Sequence, residues 1–149
     1  MARLIAPLSA DERTGFIVAA RSFLGVPFKH RGRSSRGIDC VGLVAGSLAA
    51  VGREIADEKV YGRDPVRDGL RDRLIAHLGE PVTDYQPGDV LLLRWHMAGT
   101  THLFNHVAIA TDCPYGGLSM IHALAENKAV VEHRIGEPWP RRIVEGYRP

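Results

Sequence analysis

Apolar residues recur at helical spacing through the first half of the chain and at alternating spacing through the second. Ser9-Ala10-Asp11-Glu12 has the form of a capping box, and Phe16, Ala20, Phe23 and Leu24 follow at intervals that share one helical face. Gly25 and Pro27 end this first helix. Val41, Val44, Leu48 and Val51 line a second helix that Gly52 closes, and its apolar character predicts the central, most buried helix. Residues 64–78 carry Leu70, Leu74, Ile75 and Leu78, a third helix stopped by Gly79 and Pro81 whose mixed Arg and Asp face is solvated. After Tyr85-Gln86-Pro87-Gly88 the period becomes extended. Residues 89–95, 106–111, 118–122, 129–133 and 142–147 read as five short strands, separated by turns such as Asp112-Cys113-Pro114-Tyr115-Gly116-Gly117. Helices followed by a meander of strands predict an α+β fold, N-terminal helices packed on a five-stranded antiparallel sheet. With no repeat or linker in the sequence, residues 1–149 are expected to form a single domain.

Composition narrows the class without naming a function. A hydrophobic content of 45% and a charged content of 24% are ordinary for a globular chain. The net charge of +2 is too small to point to nucleic acid. Two cysteines, Cys40 and Cys113, are too few for a disulfide framework and are expected to be free thiols. Met1-Ala2-Arg3-Leu4-Ile5-Ala6-Pro7 lacks the apolar core of a signal peptide, and no later stretch is apolar enough to span a bilayer. Synthesis in the cytoplasm is the expectation.

Cys40 changes that picture, because it falls where a polar, Gly-rich loop turns into the second helix. Unpaired amides and the positive end of the helix dipole favour an anion there, so the thiol pKa is expected to fall. Gly37 and Gly42 carry no side chain and would let a substrate backbone approach the sulfur. Lys29, His30, Arg31, Arg33 and Arg36 precede Cys40 in a stretch read as an irregular loop, with no acid before Asp39. Such a run is either a solvated surface or a site for substrate carboxylates.

A thiol nucleophile needs a base, and histidine is the usual one. His77, in the third helix, and His96 and His102, in the loop after the first strand, read as surface residues. His106 opens an apolar strand on the face of Ala108 and Ala110, whose small side chains leave room for a helix end to approach. His122 closes the next strand on the face of Met120, where antiparallel pairing would bring it beside His106 to hold the imidazole in one tautomer. Against this stands the plainer alternative of buried structural cysteine and histidine residues. A metal site from His102, His106, His122 and His133 is weaker, since the spacing is not of zinc type, and no cofactor is expected.

Together the blocks Ala20-Arg21-Ser22-Phe23-Leu24-Gly25-Val26-Pro27-Phe28, Gly37-Ile38-Asp39-Cys40-Val41-Gly42-Leu43-Val44, Pro87-Gly88-Asp89-Val90, Asn105-His106-Val107-Ala108-Ile109 and Met120-Ile121-His122-Ala123 make the chain resemble the NlpC/P60 cysteine peptidases. The resemblance implies a papain-like fold and a thiol peptidase that cuts peptidoglycan stem peptides, commonly between D-glutamate and the diamino acid. It implies Cys40 as nucleophile, with its amide in an oxyanion hole, His106 as base and His122 as the orienting residue. Phe28, His30, Arg36 and Asp39 are the candidate substrate-binding residues. Phe28 stands where the family commonly has tyrosine, and Val41 where it commonly has serine. The segment 130–149, with Val131-Glu132-His133 and Trp139, most resembles the branch found with phage tails and gene transfer agents. That implies a tail-tip or hub partner and delivery to the cell wall by a phage-like particle. A tail component that keeps the fold without activity, or an amidase or acyltransferase using the same thiol, are the competing functions.

Overall fold

The computed structural model describes residues 3–55, 69–94 and 106–149. The start of the third helix expected at 64–68, the strand end at Trp95, and His96, His102 and Asn105 lie outside the described residues.

Helix α1 (Ala10–Ser22) begins with the capping box: the Glu12 N–H donates to Ser9 Oγ at 3.1 Å and the Ser9 N–H donates to Glu12 Oε1 at 2.9 Å. Helix α2 (Cys40–Ala49) is capped by Asp39, whose Oδ1 accepts the Gly42 N–H at 2.8 Å. Gly42, Leu43, Val44, Ala45, Ser47 and Leu48 are all buried, so α2 is the central helix its composition predicts. Helix α3 (Leu70–Leu78) turns Leu70, Leu74 and Leu78 inward.

The stretch expected to be an irregular loop contains a small hairpin, β1 (Arg33–Ser34) paired with β2 (Gly37–Ile38). The main sheet is antiparallel and runs β6-β5-β4-β3-β7, made of β3 (Val90–Leu93), β4 (His106–Asp112), β5 (Leu118–Leu124), β6 (Ala129–Arg134) and β7 (Ile143–Tyr147). Strands β3 to β6 form a meander, and β7 returns to the open side of β3 after a short 3-10 turn, Trp139–Arg142.

Strand β3 is an unbroken apolar run because both of its faces are covered. On the helix side, Val90, Leu92, Val107, Ile109 and Ile121 pack with Phe16, Leu43 and Leu48. On the other side, Leu91, Leu93, Ala108, Ala110 and Met120 pack with Tyr85, Ile135, Trp139 and Ile143. At the entrance to β3, fully buried Asp89 pairs with Arg13 of α1 and with Arg148 near the C-terminus, both at 3.0 Å. This network ties the first helix and the chain end to the middle of the sheet. Among the described residues no helix is long and apolar enough to cross a membrane.

Candidate active site

Cys40 is the first residue of α2, and α2 packs on β4 and β5. Its thiol lies against the backbone of β4, where the Val107 N–H favours the thiolate. His106, the residue before Val107, opens β4 and is paired in register with Leu93. His122, on β5, is fully buried, and its Nδ1 lies 2.8 Å from His106 Nε2. The antiparallel register thus brings together the two histidines that strand parity selects.

The parity has a second consequence that differs from expectation. Ala108 and Ala110 lie in a buried cluster against which Ile135, Trp139 and Ile143 pack, while α2 packs on the Val107 and Ile109 face. Among the described residues, the apolar groups clustered with the alanines come from no α-helix end. The sulfur instead meets the backbone of β4 at Val107.

The electrostatics also correct the sequence-based expectation for the thiol. Cys40 keeps partial exposure as a residue, but desolvation of its thiol pushes the pKa up to about 12. The Asp39 charge adds to that rise, and the N–H groups of Val107, Val41 and Cys40 itself pull the other way. Helix-end amides therefore act as expected in sign, and burial outweighs them. Burial likewise lowers His106 to about 4, opposed by the Asp39 carboxylate. His122 falls to about 2 through burial first, then the neighbouring His106 and His133. The thiol and the imidazoles of His106 and His122 all rest neutral.

Asp39 is only 3% exposed and its carboxylate is fully engaged. Oδ1 accepts from the Gly42 N–H and from Arg33 Nη1 at 2.9 Å, and Oδ2 accepts from the Arg31 N–H at 2.9 Å. Arg31 holds φ at +64°, a left-handed turn that this bond to Asp39 supports. One of the loop cations, Arg33, thus balances Asp39 within the chain. Arg36 is exposed at the tip of the β1–β2 hairpin, His30 is half-buried, and Phe28 is half-buried against the core beside Ile38.

The two glycines flanking Cys40 serve the chain itself. A Cβ on Gly42 would lie 2.4 Å from the Gly32 carbonyl oxygen, and one on Gly37 would lie 2.7 Å from Lys29 Cβ. The room read as open to substrate is filled by the basic loop, seated on the start of α2. His77, expected at the surface, is 9% exposed, with Nδ1 2.8 Å from the Arg73 carbonyl oxygen.

His133 entered the sequence reading through the metal alternative and the 130–149 resemblance, with no role beside His106 and His122. Its Nε2 lies 2.8 Å from His122 Nε2, and its Nδ1 lies 3.0 Å from the Arg134 carbonyl oxygen. Trp139 packs on both rings, with centroids 5.1 Å from His122 and 4.9 Å from His133, and Arg142 sits over the indole at 5.0 Å. The signal was available in the parity of β6: Val130 faces the helix side, so His133 faces the side of Met120, its register partner. The 2.8 Å spacings suit hydrogen bonds between ring nitrogens, whereas two histidine nitrogens on a tetrahedral zinc stand about 3.3 Å apart.

The architecture has solved counterparts. A lipoprotein-like NLP/P60 protein from Staphylococcus aureus is 18% identical with a TM-score of 0.66 over 99% of this chain and 44% of its own length. The NlpC/p60 domain of the peptidoglycan hydrolase SagA is 22% identical with a TM-score of 0.60, covering 92% of this chain and 98% of that domain. The peptidoglycan hydrolase RipB from Mycobacterium tuberculosis is 20% identical with a TM-score of 0.61, over 93% of this chain and 64% of that one. The chain spans less than half the length of the Staphylococcus aureus protein. At these identities the likeness is one of fold. Curated proteins give no match. A profile of the NlpC/P60 family matches residues 25–148, a stretch that includes Cys40, His106 and His122. The chain belongs to the NlpC/P60 family.

Proposed function

We propose that this chain is a cysteine endopeptidase that cuts peptidoglycan stem peptides, with Cys40 as nucleophile, His106 as base and His122 as the residue that orients His106. The observation that carries the reading lies at one end of β4: the Cys40 thiol is placed against the Val107 amide, and the preceding residue in the chain, His106, is bonded to His122 at 2.8 Å. Because thiol and imidazole both rest neutral, the proton passes from Cys40 to His106 as sulfur attacks the amide carbonyl. The Asp39 charge then favours the imidazolium so formed. The amide of Cys40 at the helix start is a donor for the oxyanion. Collapse expels the amine with the proton from His106, and water activated by His106 frees the acyl group.

An acidic stem peptide suits the exposed Arg36 at the hairpin tip. The bond between D-glutamate and the diamino acid, and delivery by a phage-like tail through a tip or hub protein, remain parts of the proposal that rest on resemblance. The test is mass spectrometry of purified peptidoglycan digested with wild type and with Cys40→Ala. New peptide ends from wild type alone are expected, and they name the bond. A freed lactoyl-sugar end would make the enzyme an amidase. Intact walls of every chemistry tried would refute the peptidase and favour a structural tail component.

A further inference from the structure

His106, His122 and His133 form a single file of imidazoles that ends on a backbone carbonyl. That terminus fixes the direction of every bond in the file. A carbonyl oxygen only accepts, so the nitrogen facing Arg134 O, His133 Nδ1, carries a proton. With that one proton on the His133 ring, the other nitrogen, Nε2, is an acceptor, and His122 Nε2 donates to it at 2.8 Å. His122 Nδ1 is left as an acceptor, so His106 Nε2 donates to it at 2.8 Å. His106 Nδ1 therefore holds its lone pair and no proton, which is the state a base requires.

We infer that His133 is a positioning residue: anchored on the Arg134 carbonyl, it sets through His122 which nitrogen of His106 is basic, an inference that rests on the proposed Cys40 and His106 chemistry. The surroundings favour a fixed file. His122 is fully buried, Trp139 packs against both His122 and His133, and Arg142 covers the indole. A donor-only side chain at position 133 would reverse the file. His122 Nε2 would accept, His122 Nδ1 would donate to His106 Nε2, and the His106 proton would move to Nδ1.

The wiring is read directly by two-bond proton–nitrogen correlation of the histidine rings in nitrogen-15-labelled protein, which needs no wall substrate. Wild type is expected to show protons on His106 Nε2, His122 Nε2 and His133 Nδ1. His133→Arg is expected to invert the first two and to slow Cys40 alkylation by iodoacetamide about 10–100-fold, measured in a Cys113→Ser background. On a peptidoglycan fragment, kcat should fall by a similar factor with KM unchanged. His133→Gln, whose amide oxygen accepts from His122 Nε2, should restore the wild-type tautomers and most of the rate. A proton on His106 Nδ1 in wild type would overturn the inference even if every variant folded poorly. So would a folded His133→Arg with unchanged tautomers and alkylation rate. If the tautomers are as expected but no wall is cut, the wiring stands and the peptidase reading fails.

Discussion

Gly42→Ala tests how the start of α2 is held. A methyl group there would sit 2.4 Å from the Gly32 carbonyl oxygen, 2.9 Å from Ile38 Cγ1 and 3.0 Å from Arg33 Nη1. Ordinary contact begins near 3.4 Å, so backbone must retreat by about 1 Å, at an overpacking cost of about 1–3 kcal/mol. The retreat also strains the Asp39 cap, since Gly42 N–H is one of its partners, and a lost cap costs about 1 kcal/mol. Against this, alanine gains about 0.8–1.0 kcal/mol over glycine in a helix. The net expectation is a loss of about 2 kcal/mol, or a Tm lowered by about 4–8 °C for a chain of this size.

Gly46 in the same helix is the control. Its added Cβ would meet Phe23 Cζ at 3.2 Å, the end of a partly buried ring that can pivot. Gly46→Ala should leave Tm within about 2 °C, because the propensity gain offsets the contact. Thermal unfolding by circular dichroism compares the two, and Cys40 alkylation in the Cys113→Ser background reports on the site. Gly42→Ala should also slow alkylation, since displaced backbone moves the Asp39 charge relative to the thiol. A Gly42→Ala protein as stable as Gly46→Ala would refute the seating of the basic loop on α2.

Asp89→Ala should destabilise the fold by about 3 kcal/mol, read from denaturant midpoints, because it strips the shared partner from Arg13 and Arg148; a change under about 1 kcal/mol would make the network ornamental. Stability should fall as pH drops from the ordinary histidine value of 6.5 toward about 4, because the unfolded chain binds protons that folded His106 and His122 refuse. Each such histidine contributes up to about 1.4 kcal/mol per pH unit, and flat denaturant midpoints between pH 6 and pH 5 would contradict their burial as neutral rings. In wall digests, Cys40→Ala should abolish cleavage while Cys113→Ala retains it, and equal loss in both would remove Cys40 as nucleophile. His106→Ala should slow turnover about 10²–10⁴-fold and His122→Ala by less, since proton transfer is lost in the first and orientation in the second; the reverse order would exchange their roles.

The sequence by itself determined the elements and the family. Capping at Ser9, the apolar spacing of α2 and the alternation after Gly88 are local signals, set by propensity and by the need to bury one face, and they gave helices and strands within a few residues of the described bounds. Strand parity also selected the His106 and His122 pair, because register in a buried sheet leaves few alternatives. Only the tertiary structure decided what fills each space. It seats Gly32 where a substrate was expected beside Gly42, puts Ala108 and Ala110 in one buried cluster with Trp139 packed against it, and extends the histidine file to His133 and the Arg134 carbonyl. It also reversed the expected direction of the Cys40 pKa. The helix-end amides that favour a thiolate are local and legible in a sequence. The desolvation that outweighs them depends on how much protein surrounds the sulfur, and that is a property of the packed chain.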